Sequence, residues 1–283
     1  MSERKAFKDL TLSDNFMFGA VMQDKNICRL FLSEIMKKDI VEIEFSKNEY
    51  PLNRIYNSQS VRFDIIATDS AGAVYDIEMQ KTNRKDIEKR IRYYVGSIDK
   101  EFFSPGHRDY TKLKDCYVIF ICTFDYVGKG FALYEKTSCY NNDPDMPFYD
   151  GSHFIMLNAA YDREKNNIEL PIEEFLSIIK GVESNYSSEL AQSVSEKIVE
   201  VRQDQEMEVS YMTLDELIQD ERDEARAEGR AEGFSAGMEA GIDQGKAEVL
   251  KNLGISEIEY QTILNTVSNS ISGEKFEKIK NSN

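Results

Sequence analysis

The sequence predicts a mixed α/β domain that is followed by a helical C-terminal extension. Upstream of Gly181, short apolar runs of strand length alternate with segments of helical periodicity, and glycine, proline and aromatic residues are frequent. Downstream of Gly181 the chain has no proline and consists mainly of helix-forming and charged residues. One upstream run, CYVIFICTF, is apolar throughout, which is typical of a strand that is covered on both faces.

The first predicted elements are a helix, an edge strand and a β-hairpin. In DKNICRLFLSEIMKK, four apolar residues recur at helical spacing, namely Ile27, Leu30, Phe31 and Ile35. The next segment, VEIEFSKNEYPL, is typical of an irregular edge strand. Two strand-like runs then follow in SVRFDIIATDSAGAVYDIEMQ. The turn-forming residues DSAG separate these runs, so the segment predicts a hairpin.

A second amphipathic helix is predicted in RKDIEKRIRYYVGSIDKEFF. Its apolar residues fall within an arc of about 80° at 100° per residue, and they are Ile87, Ile91, Val95, Ile98 and Phe102. Basic residues occupy the opposite side, and they are Lys85, Lys89, Arg92 and Lys100. The buried strand CYVIFICTF follows, which gives the order helix, strand, hairpin, helix, buried strand.

The hairpin places acidic side chains on one face. Along VYDIEMQ the side chains of Asp76, Glu78 and Gln80 point away from those of the apolar residues between them. Direct pairing of Asp64 with Glu78 places Ile66 opposite Asp76 and Arg62 opposite Gln80. Cβ atoms of opposed residues lie about 4.5–5.5 Å apart, so two such carboxylates could share a divalent cation. A four-residue loop that pairs Thr68 with Ala73 is the alternative, and it would turn Asp64 to the other face.

The extension divides into two parts, residues 184–248 and 249–283. Within the first part, glycines recur with a period of four at positions 229, 233, 237, 241 and 245. Each glycine weakens a lone helix by up to about 1 kcal/mol, so the segment is interpreted either as a solvated helical linker or as a self-associating helix. In the second part, Ser256 and Glu259 form a capping-box pattern that predicts a short terminal helix.

Charge and cysteine usage limit the class of protein. The net charge is −16, and residues 184–283 account for −11 of it, with 21 acidic and 10 basic residues. Residues 1–183 therefore carry only −5, and a nucleic-acid partner stays open for that part. The four cysteines have no CxxC spacing and the two histidines are isolated, which disfavours a disulfide framework, a zinc site or a Ser–His triad. Because no apolar stretch approaches the roughly 20 residues of a membrane span, we expect a cytoplasmic protein with no membrane partner.

Five segments carry a resemblance to a known family. They are LSDNFMFGAVMQD, SVRFDIIATD, YDIEMQ, RIRYYVGSID and VIFICTFDYVGKG, and in this order they resemble the PD-(D/E)xK nuclease superfamily. More closely, they are similar to the recombination-promoting nuclease or putative transposase family, over roughly residues 8–160, and the glycine-rich tail is similar to tails in that family. Two positions depart from the superfamily pattern. Gln80 replaces the usual lysine, and glutamine at this position is similar to what the closer family shows. Phe63 replaces the proline before Asp64.

The resemblance implies a restriction-endonuclease-like α/β core and a metal-dependent DNA endonuclease that is linked to recombination or transposition. The implied catalytic residues are Asp64, Glu78 and Gln80. The implied ligands of Mg²⁺ or Mn²⁺ are Asp64, Glu78 and the backbone carbonyl of Met79, with Asp76 and Glu34 as further candidates. DNA is the implied partner, through Lys81, Arg84, Lys85, Lys89 and Arg92.

Two other functions fit the same sequence. Gln80 is compatible with a catalytically decayed nuclease that binds DNA without cutting it. The helical extension is compatible with a homo-oligomeric scaffold. The acidic strand residues also have a simpler interpretation as solvated surface side chains.

Overall fold

A computed structural model describes residues 5–45, 64–103 and 109–270 of the chain. It divides the protein into two compact units, Met1–Glu216 and Leu217–Asn283. Arg62, Phe63 and His107 lie outside the described residues. Among the helices of the described ranges, none combines the length and apolar character that a membrane span requires.

The helices and strands of the described residues are numbered in chain order. The helices are α1 (Asn15–Met22), α2 (Lys25–Met36), α3 (Ile87–Phe102), α4 (Leu170–Ile179), α5 (Glu189–Gln203), α6 (Gln205–Leu253) and α7 (Glu257–Ser270). The strands are β1 (Ile43–Phe45), β2 (Ile65–Asp69), β3 (Val74–Gln80), β4 (Cys116–Cys122), β5 (Leu133–Glu135), β6 (Cys139–Tyr140), β7 (Asp143–Pro147) and β8 (Ser152–Asn158).

A mixed six-stranded sheet organises the first unit, in the order β1-β2-β3-β4-β8-β5. Strands β3, β4 and β8 run parallel to one another, whereas β1, β2 and β5 pair with antiparallel neighbours. A separate two-stranded sheet contains β6 and β7. A mixed sheet flanked by helices confirms the predicted α/β restriction-endonuclease-like class with its helical C-terminal region.

The hairpin has the register that brings the acidic residues to one face. Ile66 pairs with Asp76, and Thr68 pairs with Val74, so the alternative pairing of Thr68 with Ala73 is wrong. The turn between the strands is held by Asp69, whose Oδ1 accepts from the backbone N–H groups of Ala71 and Ala73, each at 3.0 Å. This five-residue connection supplies the odd loop length that the pairing requires.

Helices cover both faces of the sheet. On one face, α3 packs over Ile66, Val118 and Phe120. On the other face, α1, α2, α4 and α5 bury a larger cluster that includes Tyr75 and Ile77. Strand β4 is buried on both faces as its sequence predicts, and α2, β1, β2, β3 and α3 all form where the sequence predicts them.

Helix α5 belongs to the core of the first unit. Its buried residues repeat along one stripe, and they are Leu190, Ala191, Val194, Ile198 and Val201. Beyond the last of these, Arg202 donates to the Leu10 carbonyl at 2.7 Å, and the Tyr211 hydroxyl donates to the Lys5 carbonyl at 3.0 Å. The unit therefore ends at Glu216, whereas the sequence suggests a boundary at residue 183.

The second unit is helical over its described residues. Helix α6 contains the period-four glycines, and α7 follows. The predicted capping box is present, because the Ser256 N–H donates to Glu259 Oε2 at 2.7 Å and the Glu259 N–H donates to Ser256 Oγ at 3.3 Å.

Candidate active site

Asp64 and Glu78 are locked together at the carboxyl end of β3. The backbone N–H of Asp64 donates to Glu78 Oε1 at 2.8 Å, and the backbone N–H of Met79 donates to Asp64 Oδ2 at 2.9 Å. Each carboxylate is thus held by the backbone of the other strand. The register of the hairpin produces this reciprocal contact, so the two predicted catalytic carboxylates lie side by side.

The acidic face is buried beneath α3. Asp76 is 0% exposed and Glu78 is 2% exposed. Burial, followed by the negative charges of Asp76 and Asp64, raises the pKa of Glu78 well above its ordinary value. Solvated surface carboxylates would have neither property, so the simpler interpretation fails for Asp76 and Glu78.

Arg90 is a cation that contacts one of these carboxylates, Glu78. One guanidinium nitrogen, Nη2, donates to Glu78 Oε2 at 3.2 Å and to the Tyr94 hydroxyl at 2.8 Å. The guanidinium also lies 5.3 Å from the ring centroid of Tyr94 and 5.1 Å from that of Phe120. These contacts hold a positive charge against the buried acidic face.

Sequence reasoning missed Arg90 and Tyr94. On the helical wheel of α3, Tyr94 lies about 20° and Arg90 about 60° outside the apolar arc, on the side of Ile87. Long side chains at the border of an apolar arc can bury their stems and carry a polar head toward the sheet. Arg90 has such a position on the helix that follows the acidic strand VYDIEMQ, and this is the signal that could have identified it.

Gln80 is held at both ends of its carboxamide. Its Oε1 accepts from Arg90 Nη1 at 2.6 Å, and its Nε2 donates to the backbone carbonyl of Met79 at 2.9 Å. All three predicted catalytic residues, Asp64, Glu78 and Gln80, therefore belong to one hydrogen-bonded group around the end of β3.

The donor set fits a hard divalent cation in its chemistry. Asp64 and Glu78 supply adjacent carboxylates, the Met79 carbonyl supplies a third oxygen, and Asp76 adds buried negative charge on the same face. Oxygen donors of this kind suit Mg²⁺ or Mn²⁺. Within the described residues, however, no three carboxylate, histidine or cysteine groups converge into a ligand cluster. The fit therefore depends on the two carboxylates and the Met79 carbonyl.

Glu34 is not brought to this group. It lines a cavity of about 650 Å³ together with Tyr117 and His153. These two residues lie near the start of β4 and β8, whereas Glu78 and Gln80 pair with the far end of β4. Tyr117 also stacks on Tyr75, which faces the larger core cluster away from α3.

The predicted DNA-binding residues are all exposed. Lys85 has a φ of 57° and precedes α3, and Lys89 and Arg92 lie on α3. Lys81, directly after Gln80, donates to Asp14 Oδ1 at 2.7 Å. Its charge is therefore partly compensated by an aspartate that sequence reasoning did not single out.

Comparison with known proteins identifies the family of the chain. The model of the PD-(D/E)XK nuclease family transposases matches residues 15–232, which is most of the chain and includes every residue of the Asp64–Glu78–Gln80 group. No curated protein and no solved structure matches the chain. The chain belongs to the PD-(D/E)XK nuclease family transposases.

Proposed function

We propose that this protein is a divalent-metal-dependent DNA endonuclease that hydrolyses phosphodiester bonds. Membership of the nuclease family transposases supports a nuclease or transposase-related role and a DNA substrate. The observation that carries the proposal is the reciprocal contact of Asp64 and Glu78 beside Gln80, on a buried acidic face. We further propose that the activity serves recombination or transposition.

The residues of the group divide the chemical work. Asp64, Glu78 and the Met79 carbonyl would hold Mg²⁺ or Mn²⁺. Such an ion supplies charge neutralisation and a lowered pKa of bound water. Gln80 is neutral and takes no proton at neutral pH, so its role is to orient a reacting group by hydrogen bonding. Arg90 offsets the charge of Glu78 and keeps the buried face folded before an ion binds.

Exposed basic residues around α3 support a DNA-binding role. Arg84, Lys85, Lys89 and Arg92 lie along the first two turns of α3 or just before it. Lysine and arginine neutralise backbone phosphates regardless of sequence, so these residues would position the duplex rather than read its bases. Lys81 would join them when its ion pair with Asp14 opens.

Self-association is proposed for the second unit. Five exposed apolar side chains of α6 fall within an arc of about 100° at 100° per residue, and they are Phe234, Met238, Ile242, Val249 and Leu253. Gly241 borders this stripe and Gly245 lies within it, and their lack of side chains allows a second helix to approach closely. A stripe of this kind supports pairing with a second copy of the chain.

The direct test is cleavage of supercoiled plasmid in the presence of Mg²⁺ or Mn²⁺. Wild-type protein should produce nicked or linear DNA, and Asp64→Ala should lose the activity by at least about 100-fold if it removes a ligand of the catalytic ion. Equal cleavage by wild type and Asp64→Ala would overturn the proposal. Thermal unfolding of both proteins controls for loss of fold.

A DNA-binding protein without cleavage activity is the second candidate. Its support comes from the hydrogen bonds that already engage both oxygens of Glu78 and the Met79 carbonyl. A site that never exchanges these internal bonds for a cation would bind DNA and leave it intact. Retained DNA affinity without cleavage in Mg²⁺ or Mn²⁺ would favour this candidate.

A further inference from the structure

The orientation of the Gln80 carboxamide decides what this residue can offer a substrate. A carboxamide has one oxygen that accepts hydrogen bonds and one nitrogen that donates two. If the oxygen is free, the residue can accept a hydrogen bond from water. If the nitrogen is free, the residue can donate to an oxygen of the phosphate.

Arg90 selects between these two orientations. A guanidinium group only donates hydrogen bonds, so its contact with Gln80 must be to the carboxamide oxygen. Arg90 Nη1 lies 2.6 Å from Gln80 Oε1. On the other side, the Met79 carbonyl only accepts, and it takes one N–H of Gln80 Nε2 at 2.9 Å. Both neighbours therefore favour the same orientation.

One donor of Gln80 is left for a ligand. The second N–H of Nε2 makes no hydrogen bond with any residue that the structure describes, and the Gln80 side chain is partly exposed. The oxygen, by contrast, is engaged by Arg90. A water molecule that attacks phosphorus does so through a lone pair, and an N–H that donates to the other lone pair withdraws electron density and makes the water a weaker nucleophile. The donor is productive when it binds an oxygen of the phosphate.

We propose that Arg90 is a positioning residue that fixes the Gln80 carboxamide, and that Gln80 thereby donates an N–H hydrogen bond to a non-bridging oxygen of the scissile phosphate. This inference rests on the proposed function, because it assigns a substrate contact within the same site. It explains how a neutral residue can stand where the superfamily pattern has a lysine. The charge comes from α3, and the donor comes from β3.

A double-mutant cycle on DNA affinity tests the coupling of the two residues. Kd for a fluorescein-labelled DNA duplex is measured by fluorescence anisotropy in Ca²⁺ for wild type, Gln80→Leu, Arg90→Met and the double variant. Loss of one hydrogen bond to a charged phosphate should raise Kd roughly tenfold in Gln80→Leu. Arg90→Met should raise Kd at least as much, and the double variant should stay within about twofold of Arg90→Met, because Arg90 acts through Gln80.

Arg92→Met is the matched control for removal of charge. Arg92 lies on the same helix and is exposed, and it forms no hydrogen bond with Gln80 among the described residues. Because Arg92 and Gln80 act independently, the increase in Kd of the Arg92→Met and Gln80→Leu double variant should equal the product of the two single increases. If circular dichroism shows that Arg90→Met does not fold, Arg90→Lys replaces it in the cycle, because lysine keeps a cation beside the buried carboxylates. Arg90→Lys combined with Gln80→Leu should likewise bind within about twofold of Arg90→Lys alone.

Three outcomes would overturn the inference. The first is an unchanged Kd in Gln80→Leu. The second is a double variant whose increase in Kd equals the product of the increases in the two single variants. The third is a wild-type protein that does not bind DNA. The cycle requires no cleavage. A wild-type protein that shows the expected coupling but leaves plasmid intact in Mg²⁺ and Mn²⁺ would contradict the proposed endonuclease activity while supporting the Gln80 contact.

Discussion

Replacement of Asp14 by asparagine should destabilise the folded protein. The Asp14 carboxylate accepts hydrogen bonds from Lys5 at 2.5 Å and from Lys81 at 2.7 Å. It also accepts from the backbone N–H of Thr11 at 2.8 Å and from the Thr11 hydroxyl at 2.9 Å. These bonds tie the start of α1 to the residue that follows Gln80.

The magnitude follows from burial and charge. The Asp14 side chain is only 14% exposed, whereas Lys5 and Lys81 are 40% and 45% exposed. Hydrogen bonds to charged groups contribute about 1.5–3 kcal/mol each when buried, but solvent screening of the two lysines reduces this contribution. Asparagine keeps one acceptor oxygen, so we expect Asp14→Asn to lower the free energy of unfolding by about 1–2 kcal/mol at pH 7.

The effect should depend on pH in a defined direction. Burial opposes ionisation of Asp14, but the hydrogen bonds from Lys5, Lys81 and Thr11 outweigh it and hold the pKa well below the ordinary value of 3.8. The unfolded state therefore binds a proton at higher pH than the folded state does. The stability that Asp14 contributes is complete above its unfolded pKa and is lost as the pH falls below about 5 toward the lowered folded pKa. Asp14→Asn should lack this loss.

Urea unfolding followed by circular dichroism measures both effects. Asp9→Asn is the matched control, because Asp9 is an exposed aspartate five residues away. It should change the unfolding free energy by less than about 0.5 kcal/mol. Equal stability of wild type and Asp14→Asn at pH 7, or parallel pH profiles of the two between pH 7 and 3, would refute the reasoning.

Three further predictions concern the metal, Gln80 and the second unit. Glu78→Ala should lose high-affinity Mn²⁺ binding in calorimetry. The Mn²⁺ affinity of the wild type should rise with pH, because the raised pKa of Glu78 lets protons compete with the metal. Unchanged Mn²⁺ affinity in the variant would contradict the assignment of Glu78 as a ligand. Gln80→Lys should slow plasmid cleavage, because it brings a second cation next to Arg90. Adding Arg90→Met to this variant should restore part of the cleavage rate. A Gln80→Lys variant that is as active as the wild type would count against the role of the Arg90–Gln80 contact. Truncation after Glu216 should leave a folded first unit that binds DNA, and light scattering should show a lower oligomeric mass. Truncation after residue 183 removes α5 from the core and should leave an unfolded fragment. If the fragment that ends at Glu216 keeps the oligomeric state of the full chain, self-association through the second unit is wrong.

The sequence was sufficient for the elements that carry a simple period. Alternation along VYDIEMQ, the helical spacing of α3 and the apolar run of β4 each predicted the correct element, because one face or both faces must be buried. In each case a local pattern determines the structure. The sequence left two hairpin registers open, and the structure has the one that gathers Asp64 with Glu78.

The rest depends on contacts between distant segments. Arg90 reaches Glu78 and Gln80 across the space between a helix and the sheet, and Asp14 meets a lysine 67 positions away. No local period encodes such pairs. The place of α5 in the core of the first unit was missed for another reason, because its charged residues resemble those of the extension. Its Leu190, Val194 and Ile198 nevertheless repeat every fourth residue, which indicates a buried stripe.

The position of a bound metal ion tests the central claim most directly. Crystals of the wild-type protein soaked in Mn²⁺ should give an anomalous difference peak beside the carboxylates of Asp64 and Glu78, and crystals of Glu78→Gln should lack it. Mn²⁺ scatters anomalously and accepts the same oxygen ligands as Mg²⁺. No peak at these carboxylates in soaked wild-type crystals, or an equal peak in Glu78→Gln, would contradict the assignment of this site as the metal centre of the nuclease.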